Sequence, residues 1–276
     1  MKNLLTHLGV CSWSLGPASP EELIRQTHAI GIPRLQLALD PVRRQPEVWG
    51  AVARQCAEAG ISLVSGMFGT VGEDYSSLES IRRTGGVLPD ETWDQNWENI
   101  QANAELAASM HLRLVTFHAG FIPHDTADPG HAKMLHRLRL IADVFAAKKI
   151  DLALETGQET AATLRDFLHQ LGRVSLGVNF DPANMILYDK GDPIEALEIL
   201  LPFLKQVHLK DGLRTTTPGA WGREVVVGTG QVKWREFFQI LEKANFSGYC
   251  CIEREAGPER LRDIASARKF VTQFVG

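Results

Sequence analysis

Short apolar runs recur along the chain, and between them lie longer stretches whose apolar residues fall at helical spacing. His7 to Leu15 alternates apolar and small residues and predicts a strand. Ser19-Pro20-Glu21-Glu22 then reads as a cap, a proline at the first helical position and an acidic first turn. Arg34 to Leu39 predicts a second strand, Pro46 to Ala59 its helix, and Ile61 to Phe68 a third strand after the stop at Gly60. A long glycine-bearing loop, Gly69 to Pro89, precedes a helix over Trp93 to Met110 and a strand over Leu112 to Phe117. After a second loop with His124 and Asp125 come a helix over 132–148, a strand over Ile150 to Leu154, a helix near 160–170 and a strand over Val174 to Phe180. Helix 193–201, strand Leu204 to Leu209, helix Val232 to Ala244, strand Tyr249 to Ile252 and helix Pro258 to Phe274 complete the pattern.

Eight strand units alternating with eight helix units predict a parallel sheet closed into a single (β/α)8 barrel domain over residues 1–276. A doubly wound open sheet is the alternative, but the first strand is not followed by GxGxxG. The length of 276 residues and the 44% hydrophobic content fit a barrel that folds as one domain.

Several of the runs stop on a residue able to bind a metal. LALE ends on Glu155, VNF is followed by Asp181 with Pro182 blocking further pairing, QVH ends on His208, and CCIE ends on Glu253. Active sites of (β/α)8 barrels sit at the carboxyl ends of the strands, so four successive ends converge on one mouth. Three oxygen donors and one imidazole suit Mn²⁺, Mg²⁺ or Co²⁺, with Zn²⁺ as a further option. Any one of these alone reads as an ordinary polar strand end; four in register read as a site for one divalent ion.

Charge and termini narrow the partners. A net charge of −4 supplies no basic field for a phosphate backbone, which disfavours nucleic acid and favours a small-molecule substrate. MKNLLTHLGVCSWSLG lacks a long apolar core and reads as no signal peptide, and no run approaches the ~20 apolar residues of a membrane span. A soluble, cytoplasmic protein is expected. Cys11, Cys56, Cys250 and Cys251 have no CxxC spacing and read as reduced core residues.

LETGQE at Glu155, NFDPAN at Asp181, VHLKDG at His208, GTGQVKW at Gly228 to Trp234 and IEREAG at Glu253 together resemble the sugar phosphate isomerase/epimerase group of xylose isomerase-like barrels. That group includes ketose 3-epimerases, hydroxypyruvate isomerase and inosose dehydratase, with type IV apurinic endonucleases as distant relatives. The resemblance implies that Glu155, Asp181, His208 and Glu253 bind one divalent metal, and that Glu155 and Glu253 also exchange the substrate proton. Metal-polarised carbonyl chemistry through an enediolate follows from it. It also implies a homo-oligomer, for which no separate sequence feature speaks.

This chain departs from the group at two points. Asn184 stands where the epimerases and endonucleases have a histidine, so a trinuclear zinc cluster is incomplete. Ala161 stands where the epimerases have a second glutamate; Glu159 lies nearer, as a substitute or as a cap of the following helix. Asn184 is expected to bond a substrate hydroxyl or to cap the turn after Pro182. Further substrate-binding candidates are His118, Lys210, Arg223, Trp13 and Phe68, the last two as apolar walls, with His124 and Asp125 as a lid. Glu255 is set aside in favour of Glu253 as the ligand. Three readings stay open: a metal-dependent isomerase or epimerase of a ketose or polyol, an inosose dehydratase-like lyase, and a non-catalytic sugar-binding barrel.

Overall fold

The computed structural model describes residues 7–274, so the first residues of the stretch read for a leader lie outside it. Eight parallel strands close into a barrel: β1 (Leu8–Cys11), β2 (Arg34–Ala38), β3 (Ser62–Met67), β4 (Leu114–Phe117), β5 (Asp151–Glu155), β6 (Leu176–Phe180), β7 (Leu204–Leu209) and, after the hairpin of β8 (Asp211–Leu213) and β9 (Arg223–Val225), β10 (Tyr249–Ile252). β10 closes the ring by pairing with both β7 and β1. The chain is therefore a (β/α)8 TIM barrel.

Side-chain alternation divides each strand between two environments. Val10, Leu35, Leu37, Val115, Phe117, Leu154, Phe180, Val207 and Ile252 are buried in the apolar core. Phe180 meets Phe237 of the helix Trp234–Lys243, which shows that this phase points to the helical layer. The opposite phase carries polar groups that bond across the barrel. Gln36 on β2 reaches Thr116 on β4 and His208 on β7, and Ser65 on β3 donates to Gln206 on β7 at 2.6 Å. A water-excluding interior tolerates these groups because they pair with one another.

Helix starts follow the capping signals. Ser19 accepts from the Glu22 amide ahead of Pro20–Ile30, Thr160 from Thr163 ahead of Ala161–Leu171, and Asp192 from Ile194 ahead of Pro193–Leu200. Elsewhere the sequence reading is corrected. The first strand ends at Cys11, because Ser12–Leu15 turn into a helix closed by Gly16 with φ 63°. The expected helix over Pro46 to Ala59 is two pieces, Pro46–Trp49 and Val52–Glu58, preceded by Leu39–Arg44. Leu78–Thr84 lies within the expected loop 69–89, and Pro182–Leu187 begins immediately after Asp181. The last of these matters most, because Asp181 is its cap.

Candidate active site

Glu155 closes β5, Asp181 follows β6, His208 lies on β7 and Glu253 follows β10, all in the inward phase two residues beyond Ala153, Asn179, Gln206 and Cys251 respectively. Each is buried, and one potential ligand atom from each lies within 4.8 Å of the others. Neighbouring contacts decide which atoms face the centre. Asp181 Oδ1 accepts from the amides of Ala183 and Asn184, leaving Oδ2 to face the centre, 3.1 Å from the Lys210 ammonium. His208 Nε2 lies 2.7 Å from Gln36 Oε1, whose own amide nitrogen donates to Thr116. That carbonyl accepts from Nε2 and turns Nδ1 toward the carboxylates, 3.2 Å from Glu253 Oε2 and 3.3 Å from Glu155 Oε1.

The donors fit a divalent cation. Glu155, Asp181 and Glu253 crowd their carboxylates around His208 Nδ1 with Lys210, 3.1 Å from Asp181 Oδ2, as the ammonium beside them, an arrangement that a further cation relieves. Three carboxylates with the single ammonium of Lys210 leave a negative excess that a divalent ion neutralises. Oxygen-rich ligation with one imidazole suits Mg²⁺ or Mn²⁺.

Electrostatics divide the four. Burial pushes the Glu253 carboxyl up, but His208 and Lys210 outweigh it and hold it well below the usual carboxylate range. Burial likewise opposes charge on Glu155, and His118 and His208 bring it below the ordinary value. Asp181 is pushed up to about 7, by burial against the opposing Lys210, with Glu253 and Glu155 adding to the rise. His208 is raised well above its usual value: burial opposes the imidazolium, and Glu253 and Glu155 outweigh burial.

The remaining sequence candidates separate. Trp13 is more than an apolar wall: its indole N–H donates to Glu253 Oε1 at 2.7 Å. Lys210 is buried and bridges Glu253, Asp181 and Glu255 at 2.7, 3.1 and 3.2 Å. Glu255 is itself 56% exposed on the side chain and meets the centre only through that lysine. Asn184 donates to Glu155 Oε1 at 3.0 Å and to the Thr156 carbonyl, so its amide nitrogen orients a ligand rather than reaching a substrate hydroxyl. His118 stands at the mouth with Nε2 3.6 Å from Glu155 Oε2.

Phe68 does not line the mouth. It is 1% exposed and stacks on Phe117 and on Phe145 of the helix Pro129–Ala147, because its phase on the strand end points outward. Arg223 is exposed on the β8–β9 hairpin, and no contact links it to the four ligands among the described residues. His124 is bonded to Thr163 of the helix Ala161–Leu171, and Asp125 to the Ala127 amide. Glu159 does not cap that helix, since Thr160 does; it is buried, and burial pushes its carboxyl up to about 8 against the pull of Lys190. The Gly228 to Trp234 motif gains a structural role: the Asp211 carboxylate accepts from the amides of Gly228, Gly230 and Val232 and from the Trp234 indole. Gln36 and Asn179, which contact the His208 ring, and Thr116, which accepts from Gln36, went unread in the sequence, although the patterns LQL, VTF and VNF place each polar residue between two apolar ones.

Residues 24–273 match the family described as the xylose isomerase-like TIM barrel. The chain belongs to that family. It is 30% identical to a xylose isomerase domain protein from Planctomyces limnophilus, with a TM-score of 0.86 and 91% of each chain covered. D-psicose 3-epimerase from Clostridium cellulolyticum H10 shares the fold at a TM-score of 0.72 over 98% of this chain and 99% of that one; at 15% identity the likeness shows the fold alone. Inosose dehydratase from Bacillus anthracis is 24% identical over 136 residues, 44% of this chain and 45% of that protein. The chain thus spans about half the length of the curated relatives it matches.

Proposed function

We propose that this member of the xylose isomerase-like family is a divalent-metal-dependent enzyme that moves a proton on a carbon next to the carbonyl of a small polyhydroxylated ketone, as an isomerase or epimerase. Glu155, Asp181, His208 and Glu253 are the residues that would hold the ion. Bound there, a divalent cation supplies Lewis acidity toward a ketone oxygen and the neighbouring hydroxyl.

The observation that carries this reading is the state of Glu155. Its Oε1 is held by Asn184, while Oε2 is buried, lacks a hydrogen bond and faces His118. Of the two glutamates, Glu155 is the one with an oxygen free to take a proton, since both Glu253 oxygens are engaged. Removal of the C–H proton by Glu155 leaves the bonding pair as the C=C of an enediolate, and the former carbonyl oxygen takes up the negative charge. Lys210, an obligate cation among three carboxylates, and the Trp13 N–H keep Glu253 anionic and fixed beneath the substrate. Return of the proton by Glu155 to the neighbouring carbon gives the isomer; the epimer needs a proton that reaches the opposite face from solvent by way of Glu253, while the proton on Glu155 is released to solvent.

A second reading, dehydration, is favoured by the partial match to inosose dehydratases. The same enediolate then expels a β-hydroxyl, which leaves as water once protonated; His118, with a buried unpaired Nδ1, is the group at the mouth placed to donate that proton.

Proton NMR of ketoses and cyclic polyhydroxyketones in D2O with Mg²⁺- or Mn²⁺-loaded protein tests both. Loss of one C–H signal that requires metal and Glu155 supports the proposal, and the product, isomer or dehydrated ketone, selects between its two forms. Tight metal binding with no exchange on any ketone would sink it.

A further inference from the structure

The ligand cluster has a neighbour that the proton-transfer chemistry does not use. Cys11 closes β1 and is fully buried. A Cβ on Gly9 would lie 2.9 Å from Cys251 Sγ, so this phase of β1 faces the inward phase of β10. Cys11, two residues on, therefore shares the barrel interior with Glu253, two residues beyond Cys251. Its thiol donates to Gln36 Oε1 at 3.5 Å, the same carbonyl that accepts from His208 Nε2. The sulfur, one nitrogen of His208 and one oxygen of Glu253 lie within 4.8 Å of one another. His208 and Glu253 thus belong to two overlapping donor sets, one completed by Glu155 and Asp181 and the other by Cys11. Among the described residues, Cys56, Cys250 and Cys251 join no such group.

The two sets differ in hardness. Three carboxylates and an imidazole suit Mg²⁺ or Mn²⁺, ions that gain little from a thiol. A sulfur, an imidazole nitrogen and a carboxylate oxygen make a three-ligand set of the kind that holds zinc with a fourth position left to water. Tetrahedral bonding at about 2.0–2.3 Å puts donors roughly 3.5 Å apart, so the side chains close on an ion by drawing in by about an ångström. Soft ions displace the thiol proton to gain a thiolate ligand, whereas hard ions do not.

We propose that Cys11, His208 and Glu253 form a second, sulfur-bearing site for a thiophilic divalent ion, Zn²⁺ or Cd²⁺, which excludes Mg²⁺ or Mn²⁺ from the oxygen-rich set. On binding, the Sγ–H bond breaks, its electron pair forms the metal–sulfur bond and the proton leaves to solvent; no electron is transferred. Because the imidazole and the Glu253 carboxylate are shared, the protein holds one ion at a time. A thiophilic ion therefore leaves Glu155 and Asp181 without their cation. The exchange of ions needs no substrate and stands apart from the chemistry on a ketone.

Cd²⁺ titration of the Mn²⁺-loaded full chain tests the sulfur site. One equivalent is expected to raise a sulfur-to-cadmium charge-transfer band in the ultraviolet and to release the Mn²⁺, read by the electron paramagnetic resonance of the free ion. Cys11→Ser is expected to abolish the band and weaken Cd²⁺ binding by about 100-fold, with Mn²⁺ affinity changed by less than about threefold. Cys56→Ala should leave both unchanged. Asp181→Asn separates the sets in the opposite sense: Mn²⁺ affinity falls by about 100-fold and the cadmium band persists. Where the serine variant does not fold, cadmium NMR of the wild type decides, because a sulfur ligand moves the resonance well downfield of a site with oxygen and nitrogen alone. Bound Cd²⁺ without the band, a band that survives Cys11→Ser, or Mn²⁺ retained at full Cd²⁺ occupancy overturns the sulfur site. Absence of deuterium exchange on every ketone would leave these readouts as they are and count against the proton-transfer proposal alone.

Discussion

Glu155 and Glu253 are the same residue type at equivalent strand ends, both buried, yet their surroundings differ. Glu253 has both oxygens engaged, Oε1 by Trp13 and Oε2 by Lys210. Glu155 has one oxygen held by Asn184 and the other unpaired beneath His118. Glu253 is a tethered anion and Glu155 is a ligand with a free basic oxygen. Burial alone therefore does not assign a carboxylate its role; the donors around each oxygen do.

Glu155→Gln breaks this comparison most sharply. Expected is a loss of deuterium exchange of about 10²–10⁴-fold with metal still bound, read by NMR alongside calorimetric metal titration. Glu253→Gln is expected to lose metal affinity together with exchange; equal metal loss in both variants would erase the distinction. Lys210→Met leaves three carboxylates without their ammonium, and denaturation of the metal-free protein is expected to show a stability loss of about 3–5 kcal/mol. Bound Mg²⁺ should restore part of it, since the cation supplies the missing charge.

Gln36→Leu acts one bond further out. Without its carbonyl, the proton on His208 is no longer confined to Nε2, and metal affinity is expected to fall by about 10–100-fold with little change in exchange at saturating metal. Proton competition gives a smaller, graded effect. Asp181 sits at about 7 without metal and His208 is raised, so both carry protons that a cation must displace. The sign follows: affinity for metal rises with pH through about 7 and falls below it, by about tenfold per unit for each proton released. A flat titration between pH 5.5 and 8 would contradict that assignment. Trp13→Phe keeps the ring and removes one N–H from Glu253; a loss of about tenfold in exchange is expected, consistent with one hydrogen bond to a charged group.

The barrel and the meeting of Glu155, Asp181, His208 and Glu253 at its mouth were legible because both depend on local pattern. Strand and helix periods alternate eight times, and each ligand stands where an apolar run meets a loop. Phe68 shows where that reasoning stops. It also stands at a strand end, but its phase turns it toward Phe145, and a shift of one residue decides between mouth and helical layer. Asn184 read as a cap or a substrate contact, whereas its amide reaches Glu155 because the helix Pro182–Leu187 begins directly on Asp181. Gln36 carried no signal as a residue of the cluster: a glutamine in a strand is mute until its partners are seen.

By itself the sequence determined the repeat that closes the barrel and the three carboxylates and one imidazole that stand at its strand ends, because these follow from short-range alternation and from the chemistry of single side chains. Only the tertiary structure decided which oxygens of the carboxylates are engaged and by what, and which nitrogen of His208 faces the cluster. Those outcomes are set by contacts between β2 and β7, between the start of the chain and β10, and between β5 and the helix Pro182–Leu187, whose meeting no local pattern encodes.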